Sequence, residues 1–588
     1  MRDQKNKTID VAIIGAGVTG AYSAYRLSQD RPGTIELFEA EDRVGGRLWS
    51  HHWPEADAMV ELGGEAFSPV HAYVTGLVKH LGITPEPHKA FNALNRLYLR
   101  NSMLSYADLL KSASFPAHVK QSVDATVRYF VDPTYFTHGD NGKGTLADPF
   151  ETVGRFLMPL FDDAVTEAFN DLAGAYMARV EDLGKSNGGK LSPSQVLVVM
   201  TPELFDLLNR LIRAIEQSKL KTTGGGEVPA YQRDFWSIVV RGMGQESYEL
   251  FRNAGYDNTS ALSFNMVELF QNLMIGALLG MAQPGFWSLP EGFQQLPLTL
   301  MTAAESKGVT HHLQHRLIGL RRIDPDDEIE LTFLDSQDHT VVRYARKVIM
   351  SAPVSAFDRS VDLDGFDPGL TDRFARIRQG VVPIPAGKLY LVYPAPWWQD
   401  MDDLPPGADP LHGYANTDMP SRAIYYKGTI GDGRGIMTGA LTDSISADFW
   451  SSFLAPDAEL FAGTDERERR LFGAPADMVH TGHRLLRRMH QPHLPAPMPQ
   501  PDLALYHEWR TEGAGWSAWK SGRNIHEDAA VLRLPFKTKD LDQGLYCCGD
   551  SVSERHGWVD NSLESAELML REAFGLAPAH WLPDGSAA

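Results

Sequence analysis

The chain has 588 residues, 43% of them apolar and 22% charged, with a formal net charge of -20. That length exceeds what a single hydrophobic core organises, so two or three domains are expected. The acidic balance argues against nucleic acid and anionic membrane surfaces as partners, since both would repel the protein.

The first residues, "MRDQKNKTID", are polar and carry no visible secretory leader, so a cytoplasmic protein is expected. Residues 10–14, "DVAII", read as a buried parallel strand. "GAGVTG" follows, placing Gly15, Gly17 and Gly20 in GxGxxG spacing ahead of a helical pattern, and "TIELFEA" supplies a second strand closing on Glu39. A bare GxGxxG is a weak signal, but strand, glycine turn, helix and a strand-end acid in this order match a dinucleotide site. Gly15 would permit the tight turn, Gly17 the backbone's approach to a pyrophosphate, and Gly20 the packing of helix on strand. Glu39 would accept from ribose hydroxyls and repel a 2′-phosphate. "DRVGGRLWS" adds a second glycine pair, Gly45 and Gly46, flanked by Arg43 and Arg47. These arginines suit charge-assisted bonds to the diphosphate of a permanently held cofactor.

Between about 100 and 285 the pattern turns helical. "LLKSASFPAHVKQSVDATVRYFVD" and "GRFLMPLFDDAVTEAFNDLAGAYMARVEDL" have apolar residues at three-and-four spacing, broken by "HGDNGKG", "KSNGGK" and "TTGGGE". An active-site cap and plain helical packing both account for it. The run "LMIGALLGMA" at 273–282 is too short to span a bilayer. Near the end, "GLYCCGDSVSERHGWVDNSLESAELML" reads as strand, polar loop and helix. Its Cys547 and Cys548 are the only cysteines, and being adjacent they would face opposite sides of a strand, which argues against a structural disulfide. No metal is expected.

With GxGxxG, the ribose glutamate, "RVGGR" and this closing stretch in hand, the sequence resembles the flavin-dependent amine oxidase family, its L-amino-acid oxidase branch most closely. "VIMSAPVSAF", "LPEGFQQLPLTL", "GKLYLVYPAPWW" and "TDMPSRAIYY" add to the likeness. The resemblance implies an α/β fold: a Rossmann-like FAD-binding domain, a mixed-sheet substrate domain and a helical insertion. It divides the chain into FAD-binding segments at 1–68, 246–355 and 501–580, substrate segments at 69–105 and 356–500, and a helical domain at 106–245. It implies FAD, held noncovalently because the cysteines lie upstream of the usual attachment point. Leu317, Gly549, Asp550, Trp558 and Val559 join the cofactor-binding residues. Asp550 would bind the ribityl or phosphate region, and the helix from Val559 would aim its N-terminus at the flavin ring.

For the reaction, the resemblance makes Lys388 the lysine that holds a water near flavin N5, and places Trp558 and Tyr425 in the cavity wall; core packing is the plain alternative for both aromatics. One departure stands out. In "ELGGEAFSP" the family's carboxylate-gripping arginine is replaced by Ala66, next to Glu65, and a partner tyrosine is missing near Gly439-Ala440. Glu65 would then favour a cationic group, or be a solvated strand-end residue, and Arg422 could take over the carboxylate. The expected activity is oxidative deamination of an L-amino acid or primary amine, with O2 as acceptor, yielding peroxide, ammonia and a keto acid or carbonyl product. The alternatives are a decarboxylating flavin monooxygenase, an amine oxidase for substrates without a free carboxylate, and a non-catalytic flavoprotein scaffold. A homodimer is allowed by the resemblance.

Overall fold

The computed structural model describes residues 8–30, 33–89, 94–105, 161–189, 191–221, 224–234, 264–272, 286–323, 328–354, 362–402, 404, 409–455, 458–461, 473–510, 515–533, 537–538 and 541–582. The architecture is the expected α/β one, built on two large sheets.

The first sheet orders its strands Thr310–His312, Ile35–Phe38, Ile9–Ile14, Thr340–Met350, Glu328–Leu334, Arg316–Ile323 and Asp362–Asp364. The Ile9–Ile14 strand is almost wholly apolar and buried because it is paired on both edges and covered on both faces. The Thr340–Met350 strand has two uses. Its first half pairs antiparallel with Glu328–Leu334, and its second half runs parallel to Ile9–Ile14. On the far edge of that second half lies Leu545–Cys547, also parallel, with Val348 opposite Leu545. The last strand of the chain is therefore one strand away from the first.

Helices cover this sheet. Val18–Asp30 turns Ala21, Ala24 and Leu27, all fully buried, inward and packs against Gln295–Glu305 and Val559–Phe574. The Val559–Phe574 helix stops at Gly575, whose left-handed φ of 68° suits a residue without Cβ.

The second sheet orders Leu503–Trp509, Ala386–Tyr393, Gly435–Asp443, Ala423–Thr429, His412–Thr417, Leu94–Leu99 and Ser102–Ser105. Period-two alternation divides its Ala386–Tyr393 strand. Leu389, Leu391 and Tyr393 pack against Trp450 and the helix Ala476–His490, whereas Tyr390 and Val392 pack with Trp53, Val60 and Leu62. Lys388 shares the second face.

These contacts move three of the expected segment boundaries. The helix Ala72–His80 packs into the first core beside Val559–Phe574, so the flavin-side unit runs past residue 68. Asp362–Asp364 still belongs to the first sheet, past residue 355, and Leu503–Trp509 belongs to the second sheet although it follows residue 500. For the two strands edge pairing, which composition does not reveal, fixes the membership. Of the expected helices, "LLKSASFPAHVKQSVDATVRYFVD" and "LMIGALLGMA" lie outside the described residues. The next one is the helix Asp163–Gly184, capped by Asp162, whose carboxylate accepts from Val165 N at 3.2 Å. No helix among the described residues is long and apolar enough to cross a membrane.

Candidate active site

The glycine turn after the first strand is tightly constrained. Gly15 has φ 104°, and a Cβ on Gly20 would lie 1.9 Å from the Gly15 carbonyl oxygen. A Cβ on Gly17, by contrast, would meet nothing within 4 Å. The second glycine pair docks directly on this turn: Gly45 N donates to Ala16 O at 2.9 Å, and a Cβ on Gly46 would sit 3.2 Å from Gly17 Cα. Glu39 accepts from Ala16 N at 2.6 Å and from Glu41 N at 2.9 Å. Burial raises its pKa, and these amides offset part of that rise. Each carboxylate oxygen keeps a lone pair for a ribose hydroxyl. Leu317 is buried on its strand opposite Phe333, whose ring stacks 4.4 Å from that of Phe38, next to Glu39. Arg43 is held within the protein, with Nη2 2.7 Å from Glu41 and its guanidinium 3.7 Å from the Trp49 ring centroid.

The closing stretch meets the turn from the other side. Gly549, at φ 115°, leads into buried Asp550, which accepts from Arg47 Nη1 at 2.9 Å and from Gly557 N at 3.0 Å. Burial would raise the Asp550 pKa, but Arg47 and His556 outweigh it and leave the carboxyl low. The final helix begins at Val559 with Trp558 as its N-cap and no side-chain cap on its free amides. Gly557 is exposed and Trp558 and Val559 half-buried, although Asp550 to Val552 before them are buried. Trp558 lies nearly parallel to Phe286 at 5.8 Å and 4.6 Å from the His71 ring. An open backbone at Gly17, an arginine at Arg47 and an uncapped helix start suit an extended cofactor with a diphosphate and an electron-accepting ring.

Beside this groove, on the second sheet, lies a buried charge cluster. Lys388 Nζ donates to the carbonyl oxygens of Glu61 and Gly63 at 2.9 and 2.8 Å. Glu65 lies between two lysines, with Oε1 3.6 Å from Lys388 Nζ and Oε2 2.7 Å from Lys427 Nζ. His88 Nε2 is 3.9 Å from Glu65 Oε2. Burial lowers the Lys388 pKa and Glu65 resists the fall; burial opposes the Glu65 charge, yet Lys388 and Lys427 hold its pKa well below the usual carboxylate range. The loop carrying Gly63 also reaches the cofactor groove, since Gly64 N donates to Arg47 O at 3.1 Å. A run of contacts thus joins Lys388, Gly63-Gly64, Arg47, Asp550 and Gly557.

The family model for flavin-containing amine oxidoreductases matches residues 18–569. The chain belongs to that family. Aplysianin-A of Aplysia kurodai is 22% identical over 97% of this chain and 91% of its own, and achacin of Lissachatina fulica is 22% identical over 97% and 94%. Tryptophan 2-monooxygenase of Pantoea agglomerans pv. gypsophilae is 24% identical over 95% and 87%. Among solved structures, putrescine oxidase with bound putrescine superposes with a TM-score of 0.56 at 17% identity, covering 95% of this chain and 97% of that one.

Membership gives this flavin amine oxidoreductase a flavin cofactor. It also sharpens the departures on the substrate side. Glu65 does not stand open to a substrate cation, because its carboxylate already faces Lys388 and Lys427. Ala66 is half-buried beside it. A Cβ on Gly439 would meet Leu391 at 2.8 Å, and Ala440 packs with Trp450, so both face the helix-covered side of the sheet. Arg422, at φ 54°, donates from Nε to Ser446 on the helix Ser444–Ser451, which sends Trp450 into that same core. Tyr425 is buried, with Tyr414 packed edge-on at 6.0 Å and Lys427 Nζ 5.7 Å from its ring centroid. Sequence reasoning named Tyr425 but missed Lys427, although a spacing of two on one strand puts both on one face. His88 and the Glu61 carbonyl leave no comparable trace in the sequence.

Proposed function

We propose that the protein is an FAD-dependent oxidase that deaminates an L-amino acid or related primary amine, with O2 as final acceptor. The observation that carries this reading is the contact run from Lys388 through Gly63-Gly64 and Arg47 to Asp550 and Gly557. It sets a buried lysine beside the groove that the two chain ends form. Gly15, Gly17, Gly45, Gly46 and Arg47 would hold the diphosphate, Glu39 the ribose, and the amides at the start of the Val559 helix the ring. Bound FAD would supply the hydride acceptor for the carbon bearing the amine.

The residues then do the rest. Trp558, Phe286 and Tyr425 offer aromatic surface that orients a substrate side chain and excludes water. Lys388 has one N–H position beyond its two carbonyl partners, enough to hold a water at the reacting face. Glu65, neutralised by two lysines, no longer penalises a substrate carboxylate, and this favours an amino acid over a carboxylate-free amine. The similarity to tryptophan 2-monooxygenase supports a second reading, a decarboxylating monooxygenation.

An anaerobic screen of amino acids and amines, read by loss of flavin absorbance, tests the proposal. At least one L-amino acid should bleach the flavin, with peroxide and ammonia formed on readmitting air. Carbon dioxide with little peroxide would select the monooxygenase, and no bleaching by any of them would end the proposal.

A further inference from the structure

We propose that Glu65 and Lys427 set the charge of Lys388: the Glu65 carboxylate holds Lys388 as an ammonium, and Lys427 competes for that same carboxylate. The inference rests on the reading above, in which Lys388 faces the cofactor.

The geometry makes the two effects opposite in sign. Two Lys388 protons go to the Glu61 and Gly63 carbonyls. Glu65 Oε1, at 3.6 Å, lies beyond hydrogen-bond reach and acts through its charge, which leaves the third N–H for the groove. Glu65 Oε2 is bound to Lys427 at 2.7 Å. The side chains of Lys388 and Glu65 are 7% and 8% exposed, so their interaction is weakly screened, whereas that of Lys427 is 20% exposed.

The other groups around Lys388 do not replace this control. The Glu61 carboxylate is turned to Phe293 N at 2.7 Å and to Ser50 Oγ, and burial raises its pKa. Burial lowers the His88 pKa, against the pull of Glu65. His507, directly across the strand pair from Lys388, is pushed down to about 3 by burial, with Arg43, Lys388 and His51 adding to the effect. Tyr390, two residues along the strand, has its pKa raised well above the usual phenol value, by burial first and then by Glu65 and Glu61.

The test uses the flavin-loaded enzyme, with two readouts across pH: the midpoint potential of the bound flavin and the rate at which the reduced enzyme reoxidises in air. Loss of the Lys388 charge should appear as a break in both. In E65Q the break should move to lower pH by about one to three units, the span typical of removing an opposite charge at this range. In K427M it should move the opposite way, and E65D should restore the wild-type position. A displacement in the same direction for both variants, or none for either, overturns the inference. Should E65Q fail to fold, K427M and E65D still decide, because Lys427 is the less buried partner. K388M separates the two levels: if it leaves potential and reoxidation unchanged, the reading of Lys388 itself fails. If K388M alters both while E65Q and K427M leave the break in place, only the charge-setting role is lost.

Discussion

A methyl group on Gly20 would collide with the Gly15 carbonyl at 1.9 Å, and no side-chain rotation relieves a backbone clash. G20A should therefore yield protein without bound flavin, read from its absorbance after purification, whereas G17A, with open space around it, should fold and only weaken binding. Asp560 gives a residue-scale test of a different kind. Burial pushes its pKa up from 3.8 to about 7, although Val74 N, donating to its carboxylate at 2.9 Å, opposes the rise. The folded protein therefore binds a proton there that the unfolded chain has released, between about pH 4 and 7. Stability from this site falls as pH rises through that window, by at most about 4 kcal/mol. D560N keeps an acceptor for Val74 without the titration. Its melting temperature relative to wild type should climb from pH 4 to 7 and then level; a flat difference would contradict this. At this scale the glycines, Glu39 and Asp550 were legible in the sequence because backbone geometry and charge restrict what can stand there. Lys427 and His88 were not, since their meaning comes from Glu65, supplied by a distant loop.

Two helices carry the opposing faces of the groove, and a buried ion pair locks them. Glu567 of the last helix accepts from Arg26 Nε at 3.0 Å and from Tyr22 Oη at 2.7 Å, both on the first helix. Arg26 is 5% and Glu567 0% exposed. R26M would strand a buried carboxylate and should destabilise the protein by about 3–5 kcal/mol in urea unfolding, while R26M/E567M should recover much of that. Equal losses for single and double variants would refute the pairing. Strands and helices of this kind were readable from apolar runs and three-and-four spacing. Sheet membership was not: Asp362–Asp364 and Leu503–Trp509 join sheets that their neighbours in sequence do not suggest, because edge pairing depends on partners far away along the chain.

Over the whole molecule, the groove exists only because Thr340–Met350 lies between the first strand and the last. Cofactor binding should therefore report on both ends at once. FAD added to flavin-stripped protein should raise its melting temperature with concentration, and a chain ending at residue 543 should neither bind FAD nor show that rise. Binding by the shortened chain would contradict the two-ended groove. The family and the α/β architecture were visible from the paired motifs alone, since a strand-turn-helix unit at each end, both built on glycine, is what an extended dinucleotide requires of its binding site. The substrate was not visible, because the arginine and tyrosine expected to grip a carboxylate are absent and what stands in for them is a matter of spatial charge.

That interleaved strand has a consequence for how the protein is made. The first strand and its glycine turn leave the ribosome more than five hundred residues before Leu545–Cys547 does. Until then one edge of the sheet at Val348 to Met350 stands bare, an invitation to wrong partners. Capture of the flavin therefore has to wait for that late strand.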